Sequence, residues 1–156
     1  MPLNSIPLPH PRSHRLRLGR WSSEGQIYFL TITTKDRIHL FERFWSARVV
    51  IGVLARQRCR TWAYVLMPDH LHWLIQLGDR PSLSDLVRDF KSESARRLNQ
   101  HLGGSGTVWQ RGFHDRAVRA HEDLPTVARY LVRNPIRAGL VAKAGDYSHW
   151  DAAWID

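Results

Sequence analysis

A single cysteine, Cys59, is all the thiol that this 156-residue chain carries. That excludes an internal disulfide framework and a cysteine-ligated zinc site, and it points to a reducing compartment, with the cytosol as the default. Long apolar runs are missing as well. No stretch approaches the roughly 20 apolar residues that span a bilayer, so no membrane partner is expected. Prolines stand at the N-terminus where a signal peptide needs an apolar run, which argues against secretion. Acids are few, 14 against 23 basic residues, leaving a net charge of +9. Such a surplus is the electrostatic footprint of a protein that meets polyanions, nucleic acid first. Lysine is scarce too: 20 of the 23 basic residues are Arg and 3 are Lys. Arginine suits bidentate recognition of phosphates and base edges, and a GC-rich genome would leave the same bias.

What the chain does have is apolar material, 43% of its residues including seven Trp, enough for one domain of this length to bury a core. Residues 1–25 form a separate basic segment. Its first 20 residues hold four prolines, four arginines, His10 and His14 and no acid, so it reads as an extended arm that either tracks phosphates or is simply solvated. The folded part then runs from 26 to 141, with a tail from 142 to 156.

Within it, the aromatic and β-branched run from Gln26 to Thr34 predicts a strand. Ser46 to Cys59 has helical spacing, with Arg56, Arg58 and Arg60 near its C-terminal end. Two apolar runs, Thr61 to Met67 and Leu71 to Leu77, flank Pro68-Asp69 and predict an antiparallel hairpin. A helix follows, N-capped by Ser82 with Asp85 three residues on and stopped by Gly103-Gly104. Val108 to Arg119 predicts one or two short strands, and Glu122 to Arg133 a helix with the apolar stripe Leu124, Val127, Ala128 and Leu131. Asn134-Pro135 fits the N-cap and first residue of a short helix through Leu140. The tail, with Trp150 and Trp154, lacks clear periodicity. This element order is the split βαβ pattern of a ferredoxin-like α+β domain, an antiparallel sheet covered by helices.

Two features carry chemistry. Period-two alternation sets His70, His72, Leu74 and Gln76 on one strand face, so two imidazoles point the same way. They are either two half-exposed polar residues or a chelate for one divalent ion. Tyr130 and Asn134 stand at i and i+4, on one helix face away from the apolar stripe. A tyrosine can be a covalent nucleophile and an asparagine carbonyl can ligate a hard cation. A rim aromatic and a helix cap account for the same pair.

As a set, MPDHLHWLIQL (67–77), FKSESARRLN (90–99), WQRGFHDRAVR (109–119) and ARYLVRNPIRAGLV (128–141) resemble the REP-associated tyrosine transposases of the HUH single-strand nuclease superfamily. The resemblance runs in order from about Tyr28 to Val141. It implies an HUH-type fold and a bacterial, cytoplasmic, nucleoid-associated enzyme. It further implies that His70 and His72 are catalytic metal ligands, that Asn134 is the third ligand, and that Tyr130 is the nucleophile. The expected cofactor is Mg²⁺ or Mn²⁺. The implied substrates are single-stranded DNA hairpins of REP-type palindromes, cut and rejoined through a 5′-phosphotyrosine. That exchange conserves the phosphodiester bond energy, so no nucleotide cofactor is implied.

A phenol is a poor nucleophile until its proton leaves, so the metal's field or a nearby base must help, with His114 and Lys91 the candidates by motif. Candidate DNA contacts are Arg88, Lys91, Arg96, Arg97, Arg111, His114, Arg116, Arg133 and Arg137, with Trp109 and Phe113 as possible stackers on unpaired bases. Monomer and homodimer both fit. The rival reading is a non-catalytic binder of hairpin DNA or RNA.

Overall fold

The structure, a computed structural model, describes residues 24–154. The expected basic arm lies outside them except for its last two residues.

Five strands form one antiparallel sheet: β1 (Ile27–Thr33), β2 (Arg60–Met67), β3 (His70–Gln76), β4 (His114–Ala117) and β5 (Trp150–Ala152), in the order β4-β1-β3-β2-β5. The helices are α1 (Phe44–Leu54), α2 (Leu83–Leu102), α3 (Leu124–Val132) and the short α4 (Asn134–Arg137). The first four strands reproduce the expected split βαβ order. Three expectations need correction. The helix read to Cys59 ends at Leu54, and Arg60, expected near its C-terminus, instead opens β2. The tail is not irregular: β5 pairs Ala152 with Ala63 and Trp150 with Val65, adding a strand to the β2 edge. Asn134 is not an N-cap; Arg133 holds that position and Asn134 is the first helical residue.

Alternation gives the sheet two unlike faces. One presents Leu30, Ile32, Leu66, Leu71, Trp73 and Ile75, which α1 and α2 seal with Val50, Val53, Leu86, Phe90 and Leu98. The other presents Ala63, Val65, Met67 and Leu74, continued by Ala152 of β5 and covered by Ala128, Leu131 and Val132 of α3. The expected cap of α2 is present, Ser82 Oγ accepting from the Asp85 N–H, and Gly103 closes the helix with φ 65°, a left-handed turn that favours glycine.

Trp109, a candidate stacker on DNA, is buried at 4% exposure. Its indole N–H donates to Ser94 Oγ at 2.9 Å, and its ring packs against Phe41 and Phe90. It is a core residue because its loop bridges back to Thr34 at the end of β1.

Candidate active site

His70 and His72 lie on the second face, on either side of Leu71 and in line with Leu74. Their Nε2 atoms approach to 3.1 Å, with the rings edge-to-face at 4.7 Å between centroids. Each Nδ1 has its own partner. Asp69 Oδ1 meets His70 Nδ1 at 2.6 Å, and Thr31 Oγ1 meets His72 Nδ1 at 2.9 Å. These outer contacts fix ring orientation and hold the two Nε2 atoms side by side, as the outer partners of metal-ligating histidines do. Burial, the neighbouring His70 and then Arg137 push His72 down to about 3, with Asp69 opposing. Its imidazole is therefore neutral, and its lone pair available, across the physiological range.

The tyrosine helix covers this same face. Leu74, two residues beyond His72, shares a core cluster with Ala128, Leu131 and Val132 of α3. Packing of that apolar stripe leaves Tyr130, one position before Leu131, outward at 57% exposure. Arg137 places its guanidinium carbon 3.9 Å from the centre of the Tyr130 ring and donates to the Tyr130 carbonyl at 2.7 Å. The same Arg137 is among the charges that hold His72 down. Asn134 Nδ2 donates to the Leu131 carbonyl at 2.8 Å, which leaves its Oδ1 unpartnered among the described residues.

These residues fit a divalent cation as far as the donor set goes. Two nitrogens on adjacent coordination positions of one ion lie about 3 Å apart, as the two Nε2 atoms do. Among the described residues no three His, Cys, Asp or Glu side chains gather as a metal cluster. An asparagine carbonyl oxygen is a donor of another kind that a hard cation accepts.

The expected DNA contacts divide between the faces. His114 pairs across β1 with Thr31, the residue that also pairs with His72, so His114 shares the histidine face two strands away. Arg116 faces the same way, opposite Phe29, with Glu122 at 2.8 Å. Arg133 caps α4 and Arg137 is its last residue, and Arg111 is exposed in the loop before β4. Arg88, Arg96 and Arg97 belong instead to α2, on the far side of the sheet. Arg88 pairs with Asp85 and Asp89, and Arg96 and Arg97 both pair with Glu93. Lys91 donates to the carbonyls of Gln110 and Gly112, pinning the loop that leads to β4.

Sequence reasoning missed Thr31 and Asp69. Asp69 neighbours His70 in the sequence, but beside Pro68 it reads as a turn residue. Thr31 reaches His72 only through strand register, which no local pattern announces.

Comparison with known proteins adds the family. A REP-associated tyrosine transposase of Escherichia coli strain K12 is 26% identical over 82% of this chain and 77% of the relative. A Haemophilus influenzae protein assigned to the same group is also 26% identical, over 81% of this chain and 80% of its own. Among solved structures, a REP-associated tyrosine transposase bound to a REP hairpin superposes with a TM-score of 0.64 at 23% identity, covering 85% of this chain and 79% of that one. That likeness shows a shared α+β fold. The family model "Transposase IS200 like" matches residues 22–134, most of the described chain, and the chain belongs to that family.

Proposed function

We propose that this protein is a metal-dependent single-strand DNA endonuclease and transposase that binds REP-type hairpins and cleaves and rejoins them through Tyr130. The observation that carries this reading is the histidine pair: two Nε2 atoms 3.1 Å apart, each ring held from behind, on the same sheet face as the helix that presents an exposed tyrosine.

His70, His72 and the Asn134 Oδ1 would hold Mg²⁺ or Mn²⁺. When bound, such an ion neutralises and polarises the non-bridging oxygens of the scissile phosphate. Tyr130 Oη attacks the phosphorus; the bond from phosphorus to the 3′ oxygen breaks, and that oxygen leaves as a 3′-OH with a proton. The product is a 5′-phosphotyrosine, and the reverse attack by a 3′-OH restores the phosphodiester and frees the phenol. Arg137 holds the tyrosine ring from one side and gives the incoming phosphate a cation beside the histidines. His114, on the same face, is the candidate for proton transfer, since the Lys91 ammonium is occupied by two carbonyls.

DNA contacts on this face fall to His114, Arg116, Arg133 and Arg137, with Arg111 exposed in the loop that Lys91 of α2 holds. Arg88, Lys91, Arg96 and Arg97 would meet only DNA that also reaches α2.

Incubation with labelled hairpins drawn from around the protein's own gene, in Mn²⁺, Mg²⁺ or EDTA, tests the proposal on a denaturing gel. A covalent band that needs metal and disappears in Tyr130→Phe is the expected result. Binding without any adduct or cleavage would instead leave a non-catalytic hairpin binder.

A further inference from the structure

We infer that Phe44 and Trp45, at the start of α1, form a platform on which unpaired bases of the DNA strand stack; this deepens the single-strand reading above and rests on it. Trp45 is the most exposed large apolar side chain among the described residues, at 68%, with Phe44 at 48%. Neither is needed for the core, because α1 already buries Ala47, Val50, Ile51, Val53 and Leu54. Their rings are nonetheless held. Phe44 meets Trp45 edge-to-face at 5.1 Å, and its ring is backed by His149 at 5.6 Å. A fixed indole face open to solvent is what a base needs, and stacking is indifferent to which base arrives.

The surrounding charge selects the occupant. Lys35, Arg37, Arg43 and Arg48 are all exposed on the segment 35–48 against two acids, Asp36 and Glu42. Glu42 is itself taken by His39 at 2.8 Å. A polyanion with π faces complements this patch, whereas a second copy of the chain would bring like charges together over it.

Position joins the platform to the candidate active site. The Phe41 N–H donates to the Pro68 carbonyl at 3.0 Å and the Thr34 N–H to the Asp69 carbonyl at 2.9 Å, tying this segment to the hairpin turn that His70 follows. His149, behind Phe44, accepts from the Leu66 N–H at 2.8 Å, one residue from Met67, which pairs with His70. Platform and histidines therefore stand at the same end of the sheet, the platform on the α1 side and the histidines on the other face, so a strand held at the histidine pair would reach the aromatic pair by passing around that end.

Fluorescence anisotropy in EDTA, where no cleavage occurs, separates base from phosphate recognition. The probes are an oligothymidine of about 20 nucleotides, longer than one such site needs, and an abasic phosphate polymer of the same length. Trp45→Ala should weaken oligothymidine binding about 5- to 150-fold and leave the abasic polymer within about twofold, with Trp45→Phe recovering most of the loss. Equal losses on both polymers, or none on either, would overturn the platform. So would size-exclusion showing that wild type is a dimer that Trp45→Ala dissociates. An absent Tyr130 adduct with the Trp45 effect intact would sink the nuclease reading and leave the platform standing; an adduct without the Trp45 effect would do the reverse.

Discussion

The two faces of the sheet divide the labour of the molecule. On the first, Leu30, Ile32, Leu66, Leu71, Trp73 and Ile75 are fully buried under helices of 11 and 20 residues. On the second, a nine-residue helix and the tail cover only part of the surface, and the uncovered part carries the imidazoles, Thr31 and His114. Burial on one side supplies the stability that lets polar groups on the other stay incompletely packed and open to a substrate. A substitution should therefore damage folding or chemistry according to the face on which it falls.

The sharpest test is Tyr130→Phe. Loss of one exposed hydroxyl should abolish the covalent adduct and leave the urea midpoint unchanged, because Tyr130 contributes to no core cluster. A variant that loses stability along with the adduct would break the division. Phe90→Ala tests the other face: Phe90 is fully buried against Trp73 and Trp109, and its removal should cost about 3–5 kcal/mol in chemical denaturation. A cost below about 1 kcal/mol would mean that the first face is not the main source of stability.

A smaller effect is expected from Ser94→Ala, also on the first face. Ser94 Oγ donates to the Phe90 carbonyl at 2.6 Å and accepts from Trp109 Nε1 at 2.9 Å. Alanine leaves the indole N–H buried without an acceptor, at a cost of about 1–3 kcal/mol. Cleavage per folded molecule should not change. If it falls while stability holds, the loop around Trp109 serves the site as well as the core.

The sequence was legible wherever structure is local. Alternation placed His70 and His72 together, and Ser82 and Gly103 marked both ends of α2, whereas Tyr130 and Asn134, spaced as one helix face, fall on α3 and α4 to either side of Arg133. It was illegible wherever register or tertiary packing decides. Three residues, Trp150–Ala152, are too few to show a period, and they become a strand because β2 offers an open edge. Trp109 reads as a possible stacking residue in isolation, and only the return of its loop to Thr34 buries it. Charge behaved likewise: composition counts Arg88, Arg96 and Arg97 as free cations, whereas helical spacing supplies each with a carboxylate.

The tail offers the finest test, since it belongs to the second face yet serves stability. Tyr147 Oη donates to the Leu66 carbonyl at 2.6 Å, anchoring the tail just before β5 meets β2. Tyr147→Phe should cost about 1 kcal/mol at neutral pH. Burial pushes the Tyr147 phenol up to about 12, so the folded protein keeps it protonated where an unfolded chain, near 10, does not. The stability tied to this raised value is present below pH 10 and is lost as pH climbs from 10 toward 12. Tyr64 is raised by burial in the same direction, so the quantity to measure is the difference between wild type and Tyr147→Phe across that window. The gap between the two should narrow as pH rises. A gap that stays constant to pH 12 would show that the Tyr147 hydroxyl is not what fastens the tail to the sheet.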